Sequence, residues 1–443
     1  MRGIEAALTV LTSYNDGRKN KFSSETLRIL ADREKMKSTD ITLASSLIYI
    51  VMRRKELWEK ISSDYLRSKE KLPPSVNMAV LTGTGGLLEL RRFSGGVLVN
   101  GIIEYLRKNK QLAKYSGLVN AVLHKVIENG EGVLEKFRRS PSPEGRAMWA
   151  GIPVWTLPAW LRTWTTQELY ALFEMSALPS YSSLRVSPDK LAELSGLLDA
   201  KGIRYHKSDI SDSLRLNESI LPANVPGFAE GLCTVQTEGS VLAASLVRKF
   251  WDGGIILDMC SGRGVKAAQI LQQCPSSHIE CWEISEHRSK SAARELERLG
   301  VSERSVLKVG NALSLESDGE AGFVMLDAPC TGSGTWNRKP ESKWRLDWEK
   351  FDRTTAMQKR LLNRAVTMCR KGGYILYITC SLFKQENENV IAEILSANSE
   401  CTEVSGLIDW KGNIFRRGKP YGIYIMPSNS WTDGFYCSLI LKR

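Results

Sequence analysis

Apolar residues recur at helical spacing through the first third of this 443-residue chain. Ile4, Ala7, Leu8 and Leu11 share one helix face, Ser24-Glu25-Thr26-Leu27 opens a second helix, and residues 44–51 are apolar enough for a buried one. Leu72-Pro73-Pro74 breaks the pattern. Apolar segments follow over residues 78–90, 97–106 and 112–127 with no alternating run between them, so residues 1–140 are expected to form an all-α domain. The stretch Ser140-Pro141-Ser142-Pro143-Glu144-Gly145 reads as a linker. Trp155, Trp160 and Trp164 then lie on a predicted helix, where aromatic packing between domains is expected. Short strand patterns at 183–187, 214–216 and 232–236 flank a helix over 191–198, which predicts a small α+β domain over 150–235.

After Asp252-Gly253-Gly254 the period switches to alternating strand and helix. Strands are predicted at 255–258, 279–283, 306–309, 323–326 and 374–378, with helices over 265–273, 285–299, 353–369 and 386–395. Residues 371–373 stop the third helix and 435–441 close the sheet. This alternation makes residues 236–443 an α/β domain with a doubly wound, mostly parallel sheet.

Composition narrows the function. A hydrophobic share of 42% is ordinary for a soluble domain, and no stretch approaches the roughly 20 uncharged apolar residues of a membrane span. Arg2 is followed by Glu5, and the first apolar segment ends at Ser13-Tyr14-Asn15-Asp16, unlike a signal peptide, so a cytoplasmic protein is expected. Four histidines without an H-x-x-x-H spacing and nine cysteines without a C-x-x-C predict neither a metal site nor a disulfide framework. The 61 Lys and Arg against 49 Asp and Glu, a net +12, suit a polyanion partner or simply solubility. The clusters Arg53-Arg54-Lys55, Arg91-Arg92 and Arg107-Lys108-Asn109-Lys110 read equally as nucleic-acid contacts or as solvated helix ends.

Two cysteine loops carry the candidate chemistry. Asp327-Ala328-Pro329-Cys330 and Thr379-Cys380-Ser381 each follow an apolar run that reads as a parallel strand, and ligands bind beyond the carboxyl ends of such strands. Either cysteine alone fits a core residue. Two thiols at one rim, with an aspartate three residues before the first, point to covalent catalysis. Directly after the first predicted strand stands Asp258-Met259-Cys260-Ser261-Gly262-Arg263-Gly264-Val265-Lys266-Ala267, whose glycines let backbone approach a ligand at a helix start. Glu283 ends the second strand, where a carboxylate accepts ribose hydroxyls. Gly262-x-Gly264-x-x-Ala267 also meets the dinucleotide fingerprint, which makes a nicotinamide dehydrogenase the alternative. Hydride transfer has no use for the two cysteine loops.

These loops, together with Asn337-Arg338-Lys339-Pro340-Glu341-Ser342-Lys343-Trp344, resemble the RNA 5-methylcytosine methyltransferases, and among them the RsmB/Sun/Fmu family that modifies small-subunit (16S) ribosomal RNA. Gly117-Leu118-Val119-Asn120-Ala121-Val122-Leu123 resembles that family's last NusB-like helix, Pro226-Gly227-Phe228 and Val235-Gln236 its lead-in to the catalytic domain, and Asp433-Gly434-Phe435-Tyr436 its closing strand. The resemblance implies a NusB-like helical RNA-binding domain over 1–140, an RRM-like domain over 150–235 and a Rossmann-type S-adenosylmethionine-dependent methyltransferase domain over 236–443. It makes Cys380 the nucleophile toward cytosine, Cys330 the group that assists product release, and Asp327 the acid facing the base. DNA cytosine methyltransferases use the Pro-Cys loop as nucleophile, so Cys330 is the rival assignment. The implied cofactor contacts are Cys260, Ser261, Gly262, Arg263, Gly264, Val265, Lys266, Glu283, Asn311 and Asp327.

The chain departs from the family's usual C-A-A-P-G-G-K loop: Arg263 stands for a proline and Val265 for a glycine. Asn311 stands for an aspartate and Ser187 for an asparagine. A monomer acting on 16S ribosomal RNA, without metal or membrane, is expected. Another ribosomal or transfer RNA cytosine, or a catalytically weak RNA-binding assembly factor, are the alternatives these departures motivate.

Overall fold

A computed structural model describes residues 2–15, 23–66, 72–90, 93–178, 182–209, 211–217, 220–427 and 432–443. The chain divides into two compact units: Met1–Leu178 with Lys339–Arg345, and Pro179–Arg338 with Leu346–Arg443.

The first unit is all helical, as the periodicity requires. Its helices run over Arg2–Asn15, Ser23–Glu34, Ser38–Arg53, Lys55–Ser63, Pro74–Glu89, Gly95–Lys108 and Ser116–Arg138, followed by Pro143–Ala150, Leu157–Trp160 and Thr166–Ala177. Pro74–Glu89 is the buried centre. It starts with a proline at its first position, where no intrahelical donor is lost, and is apolar or small on every side. A Cβ on Gly83 would overlap Leu123, and one on Gly85 would overlap Ile50 and Trp58, so glycine sets how closely the neighbouring helices approach. Thr165 and Glu168 form a reciprocal capping box at the last helix. Trp160 and Trp164 are buried.

Two expectations change here. Helices 143–177 belong to the first unit, and the α+β sheet begins only at Ser183 rather than near 150. Arg54 is not a surface cation. It is buried, paired with Glu89 at 2.8 Å and set over the Trp149 ring, so it works as a packing residue. Arg107 to Lys110 are exposed, with Lys108 paired to Glu5, while Arg91-Arg92 lie outside the described residues.

Lys339–Arg345 is a staple within the helical unit. Lys343 is buried, and its Nζ donates to Arg53 O at 2.7 Å and to Gly151 O. Trp344 Nε1 donates to Met52 O at 2.5 Å. Met52 and Arg53 lie in the last turn of Ser38–Arg53, where carbonyls lack intrahelical partners, so this segment caps that helix from outside. Glu341 Oε2 accepts from Ser23 N–H at 2.9 Å, and Tyr14 OH donates to Glu341 O at 2.9 Å. Burial, reinforced by Arg53, pulls the Lys343 ammonium well below the usual lysine range.

The second unit holds two sheets. In the smaller, β1 (Ser183–Val186), β2 (Tyr205–Lys207), β3 (Ser213–Leu216) and β4 (Cys233–Val235) pair antiparallel in the order β2-β3-β1-β4. Leu184, Val186, Leu214 and Leu216 pack there against Leu194 and Leu198 of helix Leu191–Ala200.

The larger sheet has five parallel strands: β5 (Ile255–Asp258), β6 (Ile279–Glu283), β7 (Ser305–Val309), β8 (Ala321–Asp327) and β9 (Cys369–Thr379). β10 (Cys401–Glu403), β11 (Phe415–Arg417), β12 (Ile423–Ile425) and β13 (Phe435–Lys442) extend it antiparallel. The doubly wound sheet is therefore mixed rather than mostly parallel. β10 to β12 are three residues each, too short to show a period. Lys371-Gly372-Gly373, expected to separate helix from strand, lies inside β9 beside a register shift, with Gly372 at φ +77°. The parallel order β7-β6-β5-β8-β9 reverses direction between β5 and β8, and a crevice opens at such a switch point.

Lys343→Ala removes the donor from two buried carbonyls and leaves a cavity, a cost of roughly 2–4 kcal/mol. Urea unfolding followed by tryptophan fluorescence should show the loss in the transition of the helical unit. An unchanged midpoint would mean that the staple caps nothing.

Candidate active site

Both cysteine loops leave neighbouring parallel strands at the same rim. Asp327 of β8 stands opposite Ile378 of β9, and Ala328 N–H donates to Ile378 O at 2.9 Å. The next residues of each strand carry the thiols together: Cys330 Sγ lies 3.3 Å from Cys380 Sγ, and both are free cysteines. Contact with Cys380, then burial, then the charges of Glu386 and Asp327 hold the Cys330 thiol well above the usual range.

The residues flanking the thiols are pinned by buried polar side chains. Glu386, fully buried, accepts at Oε1 from Thr331 N–H (2.9 Å) and Gln358 Nε2 (2.9 Å), and at Oε2 from Thr331 Oγ1 (2.5 Å) and Ser381 Oγ. Gln358 Nε2 also donates to Pro329 O at 2.9 Å. Asn387 Nδ2 donates to Ser381 O at 2.9 Å, and its Oδ1 accepts from Thr379 Oγ1 at 2.6 Å. Burial raises the Glu386 carboxyl above the usual range, opposed by the Ser381 and Thr331 donors. None of these three residues stands out as functional in the sequence. Gln358 carried a readable signal, a polar residue on the buried face Phe351-Thr355-Leu362 of helix Trp348–Met368. Glu386 and Asn387 read only as a helix start.

Closing the site from the side, Gly434 N–H donates to Gly334 O at 2.9 Å, so two backbones meet where any Cβ would collide. Arg338 forks onto Asp433. The Asp433-Gly434-Phe435 stretch therefore braces the Cys330 loop.

Around the rim, the loop after β5 turns through Gly262 (φ +59°) and Gly264 (φ +74°) into helix Val265–Gln273. A Cβ on Gly264 would reach 2.9 Å from the Ala292 Cβ, whereas one on Gly262 would meet nothing within 4 Å. Among the described residues only Lys35 has positive φ without being glycine, so Arg263 and Val265 occupy ordinary backbone and their departure from the family pattern leaves the turn intact. Ser261 N–H donates to Trp282 O at 3.0 Å and ties this loop to β6. At the end of β6, Glu283 is buried, accepts from Ser285 N–H at 2.8 Å and pairs with Arg288 at 2.7 Å. Asn311, two residues past β7, is exposed, and its Oδ1 accepts from Leu313 N–H at 3.0 Å in a local turn. Burial, followed by the charge of Asp258, raises the half-buried Cys260 thiol.

Lys266 joins the loop to the thiols. Its Nζ lies 2.5 Å from Asp327 Oδ2 and 5.9 Å from the centre of the Phe435 ring. Burial alone would lower this ammonium; the charges of Asp327, Asp258 and Cys380 outweigh it and raise it. Asp258, buried at the end of β5, is pushed up to about 7 by burial and then by Asp327, against the pull of Lys266.

An open glycine turn at a helix start, a buried carboxylate on the next strand and a switch point between them fit a ribose-bearing cofactor. Fold and site together are those of a methyltransferase. Residues 246–441 match the family described as 16S rRNA methyltransferase RsmB/F and residues 4–128 match the NusB family, so the chain is an RNA methyltransferase that carries an RsmB/F methyltransferase domain and a NusB domain. A curated relative from Xanthomonas campestris pv. campestris, Ribosomal RNA small subunit methyltransferase B, is 26% identical over 91% of this chain and 89% of its own. The fold is shared with the crystal structure of PH0851 (TM-score 0.78, 23% identity, 100% and 98% of the two chains). It is shared also with a methyltransferase homolog protein from Pyrococcus horikoshii (TM-score 0.58, 24%, 69% and 100%).

Asp258 gives a pH test. Its folded-state pKa lies above the unfolded one, so between about pH 4 and 7 the folded chain holds a proton that the unfolded chain has lost, and stability falls as pH rises. Asp258→Asn lacks this linkage. The stability of wild type minus variant should therefore drop between pH 5 and pH 8, read from melting temperatures at each pH. A difference independent of pH would contradict the assignment.

Proposed function

We propose that the chain methylates carbon 5 of a cytosine in 16S ribosomal RNA, using S-adenosylmethionine, through a transient bond between Cys380 and the base. The observation that carries this reading is the thiol pair at 3.3 Å with Lys266 and Asp327 beside it.

Carbon 5 of cytosine is a weak nucleophile until a thiolate adds to carbon 6, which divides one hard step into two. Lys266 is the cation that interacts with Cys380, whereas the carboxylates of Glu386 and Asp327 act on Cys330. A cation favours a thiolate and carboxylates favour a thiol. That asymmetry supports Cys380 as nucleophile, with Cys330 a thiol during the addition. Asp327, braced by Lys266, faces the ring edge and stabilises its protonated form during addition. After methyl transfer Cys330, its thiol proton given up to solvent, accepts the carbon-5 proton; the electron pair left behind re-forms the double bond between carbons 5 and 6, and Cys380 departs as thiolate.

S-adenosylmethionine, when bound, supplies the methyl group as an electrophilic sulfonium carbon. The glycine turn from Cys260 to Lys266 would hold it, with Glu283 accepting from the ribose hydroxyls. Asn311 would sit near the adenine side with its Oδ1 already engaged by Leu313.

A polyanionic substrate accords with where the charge lies. The helical unit holds 30 Lys and Arg against 19 Asp and Glu, and the second unit 31 against 30. Nearly all of the net +12 is thus on the helical unit, as a phosphate-binding module requires. The exposed Arg107-Lys108-Asn109-Lys110 cluster is the part of it we assign to RNA.

Glu283→Ala should weaken S-adenosylmethionine binding by about 1–3 kcal/mol, measured by calorimetry, because it removes charge-assisted hydrogen bonds. NAD binding instead, or no change, would count against the cofactor. A denaturing gel with labelled RNA and cofactor separates the thiols. Cys330→Ala should accumulate a shifted protein–RNA band, and Cys380→Ala should give neither band nor methylation. The reverse pattern would make Cys330 the nucleophile; full methylation by both variants would end the covalent mechanism.

A further inference from the structure

We propose that Glu386, assisted by Asn387 and Gln358, is the positioning residue that sets the two thiols against each other. Its effect on methylation rests on the covalent reading above; its effect on thiol geometry does not.

Each cysteine has both sequence neighbours fixed by this group. Around Cys330, the Pro329 carbonyl is held by Gln358 and the Thr331 N–H and Oγ1 by Glu386. Around Cys380, Thr379 Oγ1 and the Ser381 carbonyl are held by Asn387, and Ser381 Oγ by Glu386. One carboxylate therefore binds the residue after each thiol, and only one residue separates each sulfur from it. Other bonds run directly between the loops: Gly334 N–H to Cys380 O at 2.9 Å, Leu382 N–H to Ser333 Oγ at 2.8 Å, and the Ser381 hydroxyl with those of Thr331 at 3.4 Å and Ser333 at 3.3 Å. The Thr331 and Ser381 hydroxyls that meet there both donate to Glu386, so the carboxylate orients that contact at the flanks of the two cysteines. Glu386 is itself immobilised. Its carbonyl accepts from the buried Tyr377 OH at 2.7 Å.

A carboxylate suits this position because every group facing it is a donor: one amide N–H, one side-chain amide and two hydroxyls. An uncharged apolar residue would leave the buried Thr331 N–H without its acceptor and remove the one acceptor that the Thr331 and Ser381 hydroxyls share, so the hold on the two loops would loosen.

The test uses the full-length protein and two readouts. In the first, diamide oxidises the two thiols to the Cys330–Cys380 disulfide, taking two protons and two electrons and becoming the hydrazine; mass spectrometry quantifies the linked peptides. In the second, kcat and KM are measured for RNA methylation. Glu386→Ala should slow disulfide closure per folded molecule at least tenfold and lower kcat at least 100-fold, with KM for S-adenosylmethionine within twofold. Glu386→Gln should recover part of both. Closure at the wild-type rate, with kcat falling only as the folded fraction falls, would reduce Glu386 to a structural residue and overturn the proposal. Should Glu386→Ala not fold, Thr331→Val, which keeps the N–H and removes one hydroxyl donor, should still slow closure threefold or more; an unchanged rate there overturns it equally. Slowed closure in a protein whose wild type forms no 5-methylcytosine would sink the reaction assigned above and leave the positioning role standing.

Discussion

The parallel pairing of β8 with β9 is the constraint on which the site depends. Side chains at the ends of adjacent parallel strands emerge a few ångströms apart, whatever their separation along the chain. Cys380 follows Cys330 by fifty positions, yet register alone brings Asp327 opposite Ile378 and the two loops to one rim. The same sheet, reversing direction between β5 and β8, opens the crevice beside which the glycine turn and Glu283 lie. Everything else refines this geometry.

Refinement is electrostatic and is bought by burial. Asp258, Glu386 and Lys266 are held in places where charge is costly, and each is matched with donors or an opposite charge. Lys266 connects the cofactor loop with the aspartate of the cysteine loop, so the two halves of the site share one ion pair.

Outside the sheet, the chain separates charge from chemistry. The helical unit carries almost all of the excess positive charge, and the unit with every cysteine is close to neutral. Between Arg338 and Leu346 the chain leaves the second unit to give the first a buried lysine and a tryptophan that cap a helix end. Residues quoted from one motif, Asn337 to Trp344, thus serve two units.

By itself the sequence determined the helical first half, the alternating second half, the glycine turn and the two cysteine loops, because these are local: periodicity, turn chemistry and motif spacing need no partner. The likeness of Asp327-Ala328-Pro329-Cys330 and Thr379-Cys380-Ser381 to a family was legible for the same reason. Tertiary structure decided what depends on distant residues. Arg54 looks like a surface cation until Glu89 and Trp149 enclose it. Lys343 looks like a charged loop residue until the carbonyls of Arg53 and Gly151 receive it. Strands β10 and β12 form where β13 offers an edge on which three-residue segments can pair, and β11 adds to β12 in turn. Glu386 reads as the start of a helix, and only the fold makes it the acceptor for both cysteine loops, since a buried carboxylate takes its role from the donors that surround it.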